Sequence, residues 1–306
     1  MEYRAFQYGV DNRYINAILE GTDVARYGTI SAEEWFCQRF EQNPLGKAVL
    51  ACAFDGDRLV SCVAVERFPV QYEGKALVGG YTHVLFVQKE YGTQDMWVGL
   101  LKVLEDECVR QGIDLVMGFN DQNLFAYAQG LGWKYRQGMT RYQFNSVTGL
   151  WRSIFKLLDL GKTFIADVKR KQSGGVQNEM TDNAGVPDYY KWLICISPKR
   201  FLVVDNEEVC SVILLGQRGK RVREAQVCYF EPKKSVGAAQ RSLVEFVKGH
   251  FTKNEVDVVS CVDGKNYLSK KNTLRTSQEV NYCYKCLGES IDFQIGEMAQ
   301  MELLLP

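Results

Sequence analysis

The sequence predicts an α/β fold built as two tandem domains, each a mixed, mostly antiparallel sheet flanked by helices. Three observations predict it. The stretch Gly80–Trp133 reads as strand, turn, helix and strand, which is a βαβ unit. Ahead of it, apolar runs flank two tight acidic-Gly turns, Asp55-Gly56 and Glu73-Gly74, the pattern of antiparallel hairpins. The third is a weak internal repeat. With Val84 set on Val227, an offset of 143 residues (227 minus 84), Leu100-Leu101 falls on Leu243-Val244 and Leu115-Val116 on Val258-Val259, without a gap. A chain of 306 residues has room for two domains of about 150 residues.

Each element has its own signal. Ser31 and Glu34 form a capping-box pattern that opens a helix through Trp35, Phe36 and Phe40, and Asn43-Pro44-Leu45-Gly46 stops it. Lys47–Phe54 and Leu59–Glu66 make the first hairpin, Phe68–Tyr72 and Lys75–Gly79 the second. Val84–Val87 is a strand, Gln88–Asp95 a turn, and Trp97, Leu100, Leu101, Leu104 and Cys108 share one face of the following helix. Gly112 sits where that helix should stop. Ile113–Phe119 is the next strand, followed by an Asn-bearing turn and a short helix closed by Gly132. Tyr135–Phe144 reads as the last strand of the first domain.

Val147–Asp159 is amphipathic and reads as a bridging helix, and Lys169–Gly185 is polar and rich in Gly, Ser and Asn, as a linker is. In the second half, Phe201–Val204 and Val209–Leu215 flank an acidic turn. Gln226–Phe230, Glu231–Gly237, Ala238–Phe251 and Val256–Val262 repeat strand, turn, helix, strand. The expected boundaries are 1–146 for the first domain, 147–186 for the bridge and linker, and 187–306 for the second domain.

Composition excludes several classes. Hydrophobic residues make up 46% and charged residues 24%, ordinary for a globular protein. Lys plus Arg equals Asp plus Glu, 37 each, so no global field favours a nucleic-acid partner. No apolar run approaches the ~20 residues that span a bilayer, and MEYRAFQYG has no signal-peptide pattern. Ten cysteines, most inside apolar runs, suit buried thiols in a reducing cytoplasm better than a disulfide scaffold.

The turn of the first βαβ unit aims backbone N–H groups above a strand end, a place to hold a phosphate. At Glu90-Tyr91, Gly118-Phe119-Asn120 with Asn123, and Leu131-Gly132-Trp133, the chain resembles the GNAT acyltransferase superfamily, in particular GNAT proteins associated with bacterial surface polysaccharides. Those carry a segment of the kind D-Y-R-G-K-G-I-F, then G-F-x-N-x-N, then L-G-W. The stretch from Glu33 to Val65, an aromatic helix ending in Asn43-Pro44-Leu45-Gly46 and a hairpin, is similar to the same proteins. The tandem arrangement resembles the FemABX-type acyltransferases. The chain departs from the pattern in the phosphate loop, where the family's two glycines fall on Thr93 and Asp95 and its arginine on Gly92.

The resemblance implies an N-acyltransferase that takes acetyl-CoA or another acyl-CoA as donor, with no metal. It also implies a small-molecule amine acceptor such as a nucleotide- or lipid-linked amino sugar of a polysaccharide precursor. By resemblance Leu85, Phe86 and Val87 hold the pantetheine and the acyl carbonyl through their backbone, and Gly92, Thr93, Gln94, Asp95, Met96 and Trp97 hold the pyrophosphate. Asn120 and Asn123 flank the pantetheine arm. Each has a plainer reading: a buried strand, a βα turn capped by Thr93 or Asp95, and turn asparagines.

Tyr127 is a candidate general acid for the departing thiolate, although the family's tyrosine position falls on Ala128, and a packing tyrosine is the competing reading. His83 and Glu66 are candidate general bases against a structural role. Cys283 and Cys286 alternate onto opposite faces of a strand, so this CxxC pair reads as incidental. Lys265, Lys270, Lys271 and Arg275, with Lys233-Lys234, are a basic set for an anionic acceptor or simply a solvated surface. Two other functions stay open. One is a binding module whose loop has lost CoA; the other is a transferase using aminoacyl-tRNA, which the even charge balance does not favour.

Overall fold

A computed structural model describes residues 1–19, 31–72, 75–119, 128–145, 185–196, 201–218, 222–250, 258–263 and 278–288. In chain order the elements begin with β1 (Glu2–Ala5), α1 (Ile15–Leu19), α2 (Ala32–Phe36), β2 (Val49–Asp55), β3 (Arg58–Tyr72) and β4 (Lys75–Val87). They continue with α3 (Gln94–Arg110), β5 (Leu115–Phe119), β6 (Lys134–Asn145), α4 (Asp188–Ile196), β7 (Phe201–Asp205) and β8 (Val209–Arg218). The last are β9 (Val222–Pro232), α5 (Val236–His250), β10 (Val258–Asp263) and β11 (Gln278–Cys286). The bridging helix and the polar linker lie outside the described residues, as do Lys265, Lys270, Lys271 and Arg275. Among the described helices none is long and apolar enough to cross a membrane.

The chain forms two compact units. The first contains the described residues of Met1–Met139 and of Glu279–Met298. Its strands run β1-β2-β3-β4-β5-β11, antiparallel except for the parallel pair β4–β5. Both faces are covered, which is why β2 is buried almost end to end rather than alternating. On one face Met96, Leu100, Leu101, Leu104 and Cys108 of α3 pack on Val49, Ala51, Val63, Val65 and Val116. On the other, Ile15, Ile18, Trp35, Phe36 and Phe40 pack on Leu50, Cys52, Cys62 and Ala64. At a fully buried α3 position Met96 stands where the sequence pattern put Trp97, which is only half buried.

Local signals account for the element ends. Ser31 Oγ accepts from Glu34 N at 3.1 Å and starts α2, which runs on as a π-helical turn over Cys37–Glu41. The hairpin β2–β3 closes around Asp55-Gly56, with Gly56 in the left-handed region at φ 58°. The two short strands expected on each side of Glu73-Gly74 are single long strands, β3 and β4, paired from Tyr72↔Lys75 to Ser61↔Val87. Arg67 at their middle is internally bonded, donating to Lys47 O at 2.9 Å and Gln111 Oε1 at 2.7 Å.

The second unit contains the described residues of Thr140–Gln278. Its ladder order is β6-β10-β9-β8-β7, with β9–β10 the parallel pair. Leu243 and Ala239 of α5 pack on Val209, Ile213 and Val227, and Tyr190 and Leu193 of α4 pack on the opposite face with Val212 and Leu214. The strand expected at Tyr135–Phe144 is present as β6, with Lys134–Met139 in the first unit and Thr140–Asn145 in the second. Over Thr140–Asn145 it pairs antiparallel with β10, and the strand that flanks β5 in the first unit is β11. Apolar alternation marks a strand without naming its partner, and the partners here lie far along the chain.

The repeat is in phase. β5 begins at Leu115 and β10 at Val258, and the buried helix positions Met96 and Leu100 correspond to Ala239 and Leu243, all at the offset of 143 (258 minus 115). Each unit also has a β-bulge. Register slips past Leu85 in β4 and past Cys228 in β9, again 143 apart (228 minus 85).

Candidate functional site

β4 has β3 on one edge for its whole length, but its parallel ladder with β5 covers only Gly79–Tyr81 against Leu115–Met117. Contact is close there: a Cβ on Gly80 would lie 2.3 Å from Val65 and one on Gly79 2.4 Å from Phe68. Beyond Tyr81, the backbone groups that Thr82–Val87 direct away from β3 have no strand partner among the described residues. The bulge at Leu85 bends this half of the strand, leaving Val84 and Val87 each 37% exposed while Leu85 packs under α1 and α2. Phe86 is packed against that same cluster. Thr82 Oγ1, His83 Nδ1 and Gln88 Oε1 are buried here without a hydrogen-bond partner among the described residues. Leaving such an atom unpaired costs about 1–3 kcal/mol; two of these lie on β4, on opposite faces, and the third on the residue after it.

In the second unit the parallel ladder reaches further along the equivalent strand, and Cys228–Pro232 beyond it have no β10 partner among the described residues. β9 pairs with β10 from Glu224 to Val227, directly up to its bulge at Cys228. The first-unit ladder stops at Tyr81, short of Leu85. Both bulges thus lie past the end of the parallel ladder, directly after it in the second unit and four residues beyond it in the first (85 minus 81).

The turn after β4 is built by its own backbone. Gln88 N donates to Val60 O at 2.9 Å, Lys89–Tyr91 is one 3-10 turn, and Tyr91 OH donates to Asp55 Oδ2 at 2.7 Å. Thr93 is the N-cap of α3, its Oγ1 accepting from Met96 N at 3.3 Å. That occupies the Met96 N–H and, with the Met96 side chain in the core, leaves the N–H groups of Gln94 and Asp95 as the helix's unpaired first-turn donors. Asp95 is exposed in this first turn, where its charge suits the helix dipole and opposes an anion. Gly92 is not in the left-handed region, and a Cβ there would meet only Lys89 O at 3.8 Å. Tyr3 of β1 covers the start of α3: its ring would lie 2.7 Å from a Cβ on Gly99, and burial together with Asp95 raises its phenol pKa.

On the α2 side, His83, Glu66 and Arg39 form one buried cluster. Glu66 Oε1 accepts from Arg39 Nε at 2.9 Å and lies 3.2 Å from His83 Nε2. Burial pushes the Glu66 carboxyl up, but Arg39 and His83 together outweigh it and hold it below the usual carboxylate range. An ionised Glu66 only accepts, so the His83 proton is assigned to Nε2 and the lone pair to Nδ1. The rings of Tyr81 and Phe40 lie 5.9 and 6.3 Å from the His83 ring. Sequence reading treated His83 and Glu66 as separate candidates. The hairpin register joins them, since Ala64↔His83 and Glu66↔Tyr81 are successive same-face pairs. A tight turn at Glu73-Gly74 already implies that register.

Asn120, Asn123 and Tyr127 lie outside the described residues. Lys233 and Lys234 lie on a solvated surface, the plainer of their two readings. Lys233 pairs with Asp205, and Lys234 donates to Glu208 at 2.8 Å and Glu207 at 3.3 Å, so three carboxylates of the same unit balance the two charges. Cys283 is buried on β11 and Cys286 half-exposed on its other face; among the described residues no group of His, Cys, Asp and Glu is arranged to hold a metal.

No family model and no curated protein matches the sequence. Solved structures do. A GCN5-related N-acetyltransferase from Kribbella flavida is similar at 12% identity, with 93% of this chain and 71% of that one covered and a TM-score of 0.57. One from Anabaena variabilis gives 11% identity, 94% and 73% coverage and a TM-score of 0.55. The N-myristoyltransferase of Saccharomyces cerevisiae, solved with bound myristoyl-CoA, gives 10% identity, 92% and 78% coverage and a TM-score of 0.51. The chain thus carries the fold of the GCN5-related N-acetyltransferases as a tandem pair of α/β units.

Proposed function

We propose that the first unit binds an acyl-CoA along Thr82–Val87 and transfers its acyl group to an amine. The observation that carries this reading is the short β4–β5 ladder, which leaves a bent strand edge that runs on through one 3-10 turn to the N-terminus of α3. An extended pantetheine arm matches such an edge, because its amides pair with strand backbone as another strand would. Backbone N–H groups of Leu85–Val87 hold the thioester carbonyl, and the Gln94 and Asp95 N–H groups face the pyrophosphate. Asn120 and Asn123 flank the arm. The yeast N-myristoyltransferase, described with myristoyl-CoA, lends support to a CoA donor, acetyl or longer.

In this reading the amine nitrogen attacks the thioester carbon, the C–S bond breaks, and CoA leaves as a thiolate that takes up a proton, from Tyr127 or water. The amine's proton passes to His83 Nδ1 and on to solvent, while Glu66 fixes the ring through Nε2. The acceptor class is the primary amine of an amino sugar in a nucleotide- or lipid-linked polysaccharide precursor. A second reading rests on Asp95: its carboxylate in the first turn of α3 opposes a pyrophosphate, which suits a module that binds a sugar or peptide without CoA.

Calorimetric titration of acetyl-CoA into the protein decides between them. Micromolar binding that weakens at least about ten-fold on Thr93→Trp supports the donor site. Neither heat nor thermal shift at millimolar acetyl-CoA and longer acyl-CoAs would sink it.

A further inference from the structure

β5 has unequal neighbours. Its ladder with β4 covers Leu115–Met117, whereas its ladder with β11 covers Leu115 through Phe119. Leu287 N then donates to Asp114 O at 2.9 Å, and Asp114 Oδ2 accepts from Val78 N at 2.8 Å. Successive residues of a strand direct their backbone groups to opposite edges, and along Leu115–Phe119 those facing away from β4 need a partner of their own. β11 supplies it.

β11 also holds the turn that leads into β6. Lys285 Nζ donates to Leu131 O at 2.7 Å and pairs with Glu105 Oε2 of α3. Trp133 Nε1 donates to the other oxygen, Glu105 Oε1, at 2.6 Å. Both carboxylate oxygens are therefore used, and one half-buried ammonium joins α3, β11 and the turn Ala128–Trp133. Gly132, at φ 84°, gives that turn its left-handed residue.

We infer that β11, through Lys285, is the positioning element of the first-unit site: it props β5 away from the free half of β4 and seats the turn beyond it against α3. The inference rests on the donor reading above for its functional meaning and on bonding alone for its structural content. The site is thereby conditional on a segment 180 residues downstream of Glu105.

The test uses the full-length chain as Lys285→Met, Lys285→Arg and, as a control of comparable destabilisation in the other unit, Leu243→Ala. Lys285→Met is expected to weaken acetyl-CoA binding about ten-fold and to speed amide hydrogen exchange in 113–119 and 128–133. Lys285→Arg restores most of both, and Leu243→Ala changes neither. Wild-type exchange in those two segments for Lys285→Met would overturn the inference, and so would acceleration spread equally over β2 and β3. If the wild-type protein binds no acyl-CoA, the donor reading falls and exchange alone decides. Local acceleration then upholds the positioning role, and its absence refutes it.

Discussion

At the scale of residues, the His83–Glu66–Arg39 cluster ties stability to chemistry. The Glu66 carboxyl is held below its ordinary range, so the unfolded state binds more protons there and stability rises with pH. Its contribution is complete above the unfolded glutamate pKa of about 4.3 and is lost as the pH falls through the lower folded value. In denaturant titrations between pH 6 and 3, the wild type should lose stability more steeply than Glu66→Gln, which is less stable at pH 7 by about 3–5 kcal/mol because Arg39 loses its charged partner. His83→Ala should lower kcat by about 10²- to 10⁴-fold with little change in KM for the acyl donor. Equal kcat in the two proteins would remove His83 from the reaction. Both side chains were visible in the sequence as candidates. Their pairing needed the Glu73-Gly74 register, and the burial that makes Nδ1 a protected lone pair needed the packing of Phe40 and Tyr81. Backbone donors such as the Gln94 N–H leave no residue signature at all.

At the scale of elements, α3 shows what periodicity can and cannot say. Its apolar stripe, its Thr93 cap and its Gly112 stop, at φ 69°, all follow from local rules. Thr93→Ala should cost about 1 kcal/mol in equilibrium unfolding, because Met96 N loses its side-chain acceptor. A cost near zero would mean that solvent caps the helix equally well. The bulge at Leu85 had no such signal, since an extra residue in a strand looks like a continued apolar run. Nor did the length of the β4–β5 ladder, which depends on where a neighbouring strand finds its other partner. That is why the turn and the helix were legible while the open edge between β4 and β5 was not.

At the scale of the whole molecule, the repeat is the feature most readable from sequence and the long-range strand pairing the least. An offset of 143 survives in strand starts, bulges and buried helix positions, because each is fixed by local spacing within a unit. The partners of β6 and β11 are set by contacts spanning well over a hundred residues, to which a local pattern is blind. Tyr284 illustrates the consequence: it is fully buried in the first unit although it lies near the far end of the chain. Tyr284→Ala should destabilise the first unit by about 3–5 kcal/mol, read as faster hydrogen exchange in β5 and α3. An effect confined to β7–β10 would contradict the placement of β11. The same wiring has a temporal side. At roughly 5–20 residues per second, a ribosome takes on the order of ten to forty seconds to travel from Glu105 to Lys285. Throughout that interval the nascent chain presents Leu115, Val116 and Met117 on a strand whose main partner has not been made, an edge that other chains can pair with. Synthesis of this protein should therefore lean on chaperones that mask strand edges, and slowing translation should increase aggregation rather than relieve it.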